Sequence, residues 1–242
     1  MNLFTNIRHL ILIFGSQIST FLLTILLAPK FIKLLYKYKC SKQIREFASS
    51  GEEAAVFQSL HGKKKGIPTM GGILIWGAAL IVIVASGLSS FTGFTENSLI
   101  NRKETWLPLF TLVTTALLGA VDDYFNIKGL GKSKGINIKP KAFWLTVFAL
   151  AGAFWFHYRL EYNQIHLPLL GDVTLGIWYI PLFILVITAT ANAVNITDGL
   201  DGLAGGLLII AFGAFSIIAF AQGLFILSAF CAVIVGALFG FM

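Results

Sequence analysis

The chain has 242 residues, of which 57% are hydrophobic and 12% charged, with a mean hydropathy of +0.82 and a net charge of +7. Soluble domains carry about 25% charged residues, so this composition excludes a water-soluble globular domain, a disordered chain and a nucleic-acid-binding protein. The apolar residues form runs close to the roughly 20 residues that a helix needs to cross a bilayer. The sequence therefore predicts an all-α polytopic membrane protein, with residues 1–242 as a single transmembrane domain.

Hydropathy predicts seven transmembrane helices. In chain order they cover residues 10–27, 71–88, 106–121, 142–156, 177–193, 203–221 and 224–242. Fourteen of the 18 Lys and Arg residues fall in the connections 30–66 and 122–141. The positive-inside rule places these two connections in the cytoplasm and the N-terminus outside. Between the fourth and fifth helices we expect an ordinary connector, in which alternating residues in 164–167 and 173–175 could form a small hairpin.

Four carboxylates lie at the predicted cytoplasmic ends of these helices, where ionisable groups are costly and usually mark a site or an ion path. Asp122 and Asp123 end the third helix, and Asp198 and Asp201 lie between the fifth and the sixth. Adjacent carboxylates repel, which favours a cation beside them. Mg²⁺ binds one or two carboxylates together with phosphate oxygens. A solvated helix edge is the alternative for the first pair, and helix N-caps are the alternative for the second.

Asn192, Asn195, Asp198 and Asp201 recur every three residues. On an unbroken helix this spacing drifts by about 60° per step, so the four side chains could not face one point. The two glycines within residues 199–202 predict a break. We therefore expect the asparagines to be buried at the close of one helix and the aspartates to open the next.

A basic, glycine-rich segment precedes the second helix. It reads His61-Gly-Lys63-Lys64-Lys65-Gly66-Ile67-Pro68-Thr69-Met70-Gly71-Gly72. A lysine combined with the backbone amides of a helix start is a common way to hold phosphate. Contact of the lysines with the lipid surface, or plain positive-inside bias, is the alternative.

Taken together, segments 68–72, 122–123 and 192–204 resemble the polyprenyl-phosphate N-acetylhexosamine-1-phosphate transferase superfamily, and within it the phospho-N-acetylmuramoyl-pentapeptide transferases (translocase I). The resemblance implies transfer of phospho-N-acetylmuramoyl-pentapeptide from its UDP-linked precursor to undecaprenyl phosphate, giving lipid I and UMP in peptidoglycan synthesis. It implies Mg²⁺ as cofactor, a bacterial inner (cytoplasmic) membrane location and a cytoplasmic active face. Membrane lipid and a second copy of the chain, in a homodimer, are the further partners.

The resemblance also implies roles for individual residues. The catalytic residues are Asp122, Asp123 and Asp201; the substrate-binding residues are Lys64, Thr69, Asn195 and Asp198; and the metal ligands are Asp122, Asp123 and Asn192. The superfamily has about ten spans, and the resemblance covers the first seven. We therefore expect the chain to be the N-terminal part of a ten-helix fold, truncated at its C-terminus, and to lack transferase activity alone.

Other functions stay open at this point. A sister enzyme would transfer a phospho-sugar from UDP-N-acetylglucosamine to the same lipid phosphate. A proton-coupled membrane carrier also uses membrane acids and broken helices, but its charges should lie near the bilayer midplane. A non-catalytic membrane scaffold is a further alternative, but it would not explain why paired acidic residues lie at the helix ends. The choice between direct attack and a covalent aspartyl intermediate is also open.

Overall fold

The computed structural model describes residues 3–41, 68–92, 98–100, 105–129 and 138–242. Over these residues the chain forms seven α-helices, one at each predicted apolar segment. They are α1 (Leu3–Lys37), α2 (Gly72–Phe91), α3 (Trp106–Lys128), α4 (Ile138–Phe154), α5 (Tyr179–Thr197), α6 (Leu203–Ala221) and α7 (Phe225–Phe241). Within the described part, five helices (α1, α2, α3, α5 and α6) are long and apolar enough to cross a membrane, and α7 is a shorter apolar helix. The predicted all-α polytopic membrane fold is confirmed.

Helix α7 is the central element of the described bundle. Every residue from Ser228 to Leu238 is buried, and the helix packs against α1, α2 and α6. The buried core combines Ile13 of α1 and Ile83 of α2 with Phe230, Val233 and other apolar residues of α7. Burial of one helix by three others fixes its position without any charged contact.

Helices α1 and α7 run parallel and meet at two glycines four residues apart. A Cβ atom on Gly236 would overlap the backbone carbonyl of Gln17, and one on Gly240 would lie 2.8 Å from the carbonyl oxygen of Phe21. Small residues at this spacing let two membrane helices approach until their backbones touch. We call this contact of Gln17, Phe21 and Thr24 with Gly236 and Gly240 the α1–α7 seam.

Hydroxyl groups complete the packing on both sides of α7. On α1, Thr20 and Thr24 are fully buried, and the Thr24 hydroxyl donates to the carbonyl of Thr20 over 2.8 Å. Between α6 and α7, the Ser228 hydroxyl donates to the Ser216 carbonyl over 2.8 Å, and the Ser216 hydroxyl donates to the Ser228 carbonyl over 3.0 Å. Each buried hydroxyl therefore has a partner, as burial in an apolar medium requires.

Helices α3, α4 and α5 form the second part of the bundle, and α3 joins it to α2. A single π-helical turn, Trp155–Arg159, ends α4. An antiparallel hairpin of β1 (Gln164–Leu167) and β2 (Gly171–Thr174) follows, with His166 opposite Asp172. The hairpin that the alternating residues allow is present, and its second strand begins at Gly171, two residues before the alternating stretch 173–175.

Two predicted helix ends are wrong, since α1 and α3 extend well beyond their apolar segments. Helix α1 continues from residue 27 to Lys37, and α3 continues from residue 121 to Lys128. Hydropathy detects only the apolar stretch, whereas the backbone hydrogen bonds of a helix continue until a residue turns left-handed. In α3 that residue is Gly129, with φ of 63°. Asp122 and Asp123 therefore lie inside a helix rather than at its end.

Candidate active site

The predicted site residues gather at one end of the bundle, where α2 and α4 begin and where α3 and α5 end. The Thr69 hydroxyl, just before α2, donates to Oδ1 of Asp123 over 3.2 Å. The Thr69 backbone N–H donates to the carbonyl of Cys40 over 2.8 Å, which ties this segment to the chain leaving α1. The next residue, Met70, has a left-handed φ of 70°, a strained conformation that clusters at functional sites in proteins.

Asp122 faces a different neighbour. Nζ of Lys141, at the start of α4, lies 3.4 Å from Oδ2 of Asp122 and 3.3 Å from Oδ1 of Asn195. Lys141 thereby links α3, α4 and α5 through one ammonium group. The side chains of Lys141 and Asp122 keep 30% and 19% of their exposure, so the pair is half-buried but still open to solvent.

The helical setting explains why two adjacent carboxylates have different partners. Successive residues of an α-helix point about 100° apart. Asp122 is therefore turned towards α4 and α5, while Asp123 is turned towards the segment before α2. Residues from four separate parts of the chain meet here, and we call this group the polar end: Thr69, Asp122, Asp123, Lys141 and Asn195.

Sequence reasoning missed Lys141. It was counted only as one of the basic residues of a cytoplasmic connection, because its partners Asp122 and Asn195 are 19 and 54 residues away. Its position as the fourth residue of an apolar helix, with no other basic residue following in that helix, was the available signal. The cation predicted beside the aspartate pair is thus supplied in part by the protein itself.

The break between α5 and α6 is confirmed, but its details differ from the prediction. Asp198 is the C-cap of α5 and does not open α6. Asp201 lies in the turn, and the N-cap of α6 is Gly202, with φ of 80° and no side-chain capping bond. The left-handed conformation at this N-cap suits glycine, so the alternative in which the aspartates are N-caps of α6 is wrong.

The two asparagines are exposed rather than buried. They lie in the last two turns of α5 beyond its apolar part, where none of the described helices buries them. The side-chain amide of Asn192 donates to the Thr188 carbonyl of its own helix over 2.8 Å. Asn195 instead accepts from Lys141. The structure brings Asn195 to the polar end and leaves Asn192, Asp198 and Asp201 along its exposed edge on α5 and the following turn.

Two further features complete the placement of the predicted residues. Lys64 and the lysine run lie outside the described residues. The end of α7 reaches the same end of the bundle, since Phe241 lies against Gly71, and Met242 lies against Gly205 at the start of α6. Helices α6 and α7 therefore also reach the polar end.

The oxygen donors here suit a hard cation such as Mg²⁺. Asp122 and Asp123 supply carboxylates, and Asn192 a neutral carbonyl oxygen on the exposed edge. No group of three or more His, Cys, Asp or Glu side chains able to hold a metal occurs among the described residues. The two carboxylates fit the common way in which Mg²⁺ is held, by one or two carboxylates together with substrate phosphates.

A multi-pass helical protein with acids, a lysine and amides at one end of its bundle has the layout of a membrane enzyme that works at the water interface. The sequence matches the family described as Glycosyl transferase family 4 over residues 105–242. The match covers α3 to α7, including Asp122, Asp123, Lys141 and Asn195. The chain belongs to this family.

The chain is also similar in sequence to individual curated proteins. A phospho-N-acetylmuramoyl-pentapeptide-transferase of Chloroflexus aurantiacus is 35% identical over 233 residues, which are 93% of this chain and 58% of the relative. Proteins of the same name from Geobacillus sp. and Clostridium novyi are 36% and 32% identical, covering 93% and 94% of this chain and 64% of each relative. The predicted resemblance is confirmed. The chain spans about three fifths of the length of these curated relatives.

Proposed function

We propose that this chain forms part of the site that transfers phospho-N-acetylmuramoyl-pentapeptide from its UDP-linked precursor to undecaprenyl phosphate, giving lipid I and UMP in peptidoglycan synthesis. The observation that carries the proposal is the polar end, where residues from four parts of the chain meet at one end of an apolar bundle. A lipid head group and a soluble nucleotide can meet only at such an end. We place it at the cytoplasmic face of the bacterial inner membrane, because most lysines and arginines lie on the adjoining connections.

Electrostatics explains why a lysine lies between two helices here. Both substrates are phosphates, so they repel each other unless positive charge lies between them. Lys141 is held by Asp122 and Asn195 over 3.4 and 3.3 Å, which points its ammonium group across the gap between α3 and α5. We assign Lys141 to phosphate binding, with Asp122 fixing its position.

Asp123 and Thr69 form the second functional pair. Asp123 is half-buried, and the Thr69 hydroxyl fixes the direction of its Oδ1 atom. A carboxylate has two oxygens with about four lone-pair sites in all, so it can accept this bond and still take a proton or bind a cation. We assign to Asp123 either the removal of the proton from the attacking lipid phosphate or the binding of the metal. We assign to Thr69 the positioning of Asp123 and a contact with phosphate.

The exposed edge is assigned to the nucleotide and the metal. Bound beside Asp122, Asp123 and Asn192, Mg²⁺ would offset the negative charge that develops on the transferred phosphate. Asp198 and Asp201 are exposed beside the polar end, where a soluble nucleotide has access. In this scheme Asp198 lines the nucleotide side, Asp201 lies near the reacting groups, and Lys64 adds a phosphate contact.

The test replaces the matching segment of the Geobacillus relative with this chain, since the chain spans only part of that relative's length. The chimera is reconstituted in vesicles with undecaprenyl phosphate, and transfer of label from UDP-N-acetylmuramoyl-pentapeptide to lipid is measured with and without Mg²⁺. We expect Mg²⁺-dependent transfer that falls at least a hundredfold in Asp123→Asn. The chain of 242 residues, assayed alone in parallel, tests the expectation that it is inactive by itself.

Two other outcomes separate the alternatives. Transfer only from UDP-N-acetylglucosamine would contradict the proposed donor and favour the sister enzyme. Proton-coupled flux of a solute, sensitive to Asp123→Asn and without any lipid-linked product, would favour a carrier. The location of the polar side chains at one end of the bundle, rather than along its middle, supports the enzyme over the carrier.

A further inference from the structure

A large cavity lies at the end of the bundle opposite the polar end. It is partly open to the outside, and its volume is about 390 Å³. The walls come from the start of α3, the π turn that ends α4, the hairpin, and the starts of α5 and α7. Its described lining residues are Thr105, Pro108, Phe156, Leu160, Tyr162, Gln164, Ile165, Tyr179, Leu224, Ile226 and Leu227.

The lining has the chemistry of a site for an amphiphile. Most of the wall is hydrocarbon from Phe156, Leu160 and the leucine and isoleucine side chains of the hairpin and α7. The described polar lining is uncharged: a threonine, a glutamine and the two tyrosines. Tyrosine is the residue that proteins place at the boundary between hydrocarbon and water, so the cavity has an apolar interior at the level of the membrane interface.

We propose that this cavity binds one acyl chain of a phospholipid from the adjoining leaflet. Hydrocarbon that enters a largely apolar cavity removes apolar surface from water, which is favourable, and acyl chains are the hydrocarbon present at the ends of membrane helices. The volume lies in the range of roughly 300–1,000 Å³ that ligand sites occupy. In this proposal the phosphate of the phospholipid head group stays outside the described lining. The exposed Arg159, which immediately precedes the lining residue Leu160 in the chain, offers a positive charge there.

The local backbone supports a site at this place. Phe156 and Leu160 enter the wall from the π turn Trp155–Arg159 and the residue after it. Single π turns inside helices are rare and are frequent at functional sites. The hairpin holds Gln164 and Ile165 against the opposite wall in a defined register, so both walls are ordered structure.

The test places the 242-residue chain in vesicles of phosphatidylethanolamine and phosphatidylglycerol that contain a phosphatidylglycerol with a photoactivatable diazirine on one acyl chain. Cross-linked peptides are identified by mass spectrometry. We expect enrichment at residues 156–165 and 224–227. The variants Leu160→Trp and Ile226→Phe fill the cavity from two different walls, and each should lower this cross-linking at least fivefold. The matched control is Leu185→Trp on α5, where the side chain is 62% exposed, and it should leave the yield unchanged.

The result that would overturn the proposal is equally specific. Circular dichroism selects whichever filled variant retains the helical content of the parent chain. If that variant cross-links as strongly as the parent, or if the parent's cross-links spread evenly over the exposed face of α5 with no enrichment at the cavity, the cavity does not bind an acyl chain. Failure of this experiment leaves the proposed transferase function intact, because the cavity and the polar end lie at opposite ends of the bundle.

Discussion

The α1–α7 seam and the polar end are held together by opposite chemistry. In the seam, backbone touches backbone, because Gly236 and Gly240 leave no side chain between the helices. At the polar end, the helix ends are bridged by long or polar side chains, with distances of 3.2 to 3.4 Å between their polar atoms. The seam tolerates no added atom, whereas the side chains of Lys141 and Asp122 at the polar end remain 30% and 19% exposed.

The comparison shows where this protein places rigidity and where it places access. Close packing is strong because many small dispersion contacts add up, and it fixes helices to within a fraction of an ångström. Half-buried ionic contacts are weaker and can be rearranged around a substrate. A site that binds two phosphates needs ionic contacts that can rearrange around the substrates. Such contacts do not hold helices in place, so a rigid group of helices must lie beside the site.

The largest effect on stability is expected from adding a single methyl group to the seam. Gly236→Ala places a Cβ atom onto the carbonyl of Gln17, so the helices must separate, and overpacking of this kind costs about 1–3 kcal/mol. Unfolding in mixed micelles at increasing denaturant, followed by circular dichroism, measures the loss. The matched control is Gly213→Ala on α6, where nothing lies within 4 Å of the added atom. Equal unfolding midpoints for the two variants would show that the seam is not tightly packed.

The second effect concerns the polar end and should leave the seam unchanged. Lys141→Met removes the ammonium group between Asp122 and Asn195, and hydrogen bonds to charged groups contribute about 1.5–3 kcal/mol. Transfer by the chimera should fall roughly 10- to 100-fold, since each 1.4 kcal/mol is about tenfold. Lys139→Met removes an exposed lysine two residues earlier in the same helix. If both variants lose activity equally, general basic charge at this face would explain the effect and the placement of Lys141 would not.

A smaller effect is expected at the contact between the segment before α2 and α3. Thr69→Val keeps the shape of the side chain but removes the hydroxyl that donates to Asp123, a loss of about 1 kcal/mol for a single neutral donor. Activity should drop about fivefold to tenfold with an unchanged unfolding midpoint. Thr69→Ser retains the hydroxyl and should keep most of the activity. Loss of activity in the serine variant as well would assign the role to the methyl group and would contradict the assigned hydrogen bond.

The sequence predicts the positions of the helices because hydropathy measures, residue by residue, how well a segment suits the apolar interior of the membrane. It fails at the ends of α1 and α3, where the polar turns remain helical as far as Lys37 and Lys128. A residue with left-handed φ follows each helix, Lys39 two residues after α1 and Gly129 directly after α3. Hydropathy has no access to that backbone signal. The error matters for function, because the two carboxylates of a helical Asp122-Asp123 pair point about 100° apart and therefore contact different partners, Lys141 and Thr69.

The candidate site shows the same division between local and distant information. Thr69, Asp123 and Asn195 are found from local motifs, because each stands in a run of residues with a recognisable pattern. Lys141 belongs to no such pattern and gains its place only when α3, α4 and α5 pack together. The Gly236 and Gly240 spacing is visible in the sequence, but nothing local identifies α1 as the helix that fills it.

The smallest predicted effect concerns the serine pair between α6 and α7. This pair combines the close packing of the seam with the polar contacts of the polar end. Ser216 and Ser228 exchange hydrogen bonds inside a closely packed region, yet such bonds in membrane proteins contribute only about 0.6 kcal/mol on average, because the separated helices also find partners. A double-mutant cycle of Ser216→Ala and Ser228→Ala should therefore give a coupling energy of about 0.6 kcal/mol in the same micelle unfolding experiment. Thr188→Val is the control, since the Thr188 hydroxyl donates to the Ile184 carbonyl of its own helix. A coupling above about 2 kcal/mol would place this pair beyond the range measured for such bonds, and polar contacts would then rank with the glycine seam in holding α7.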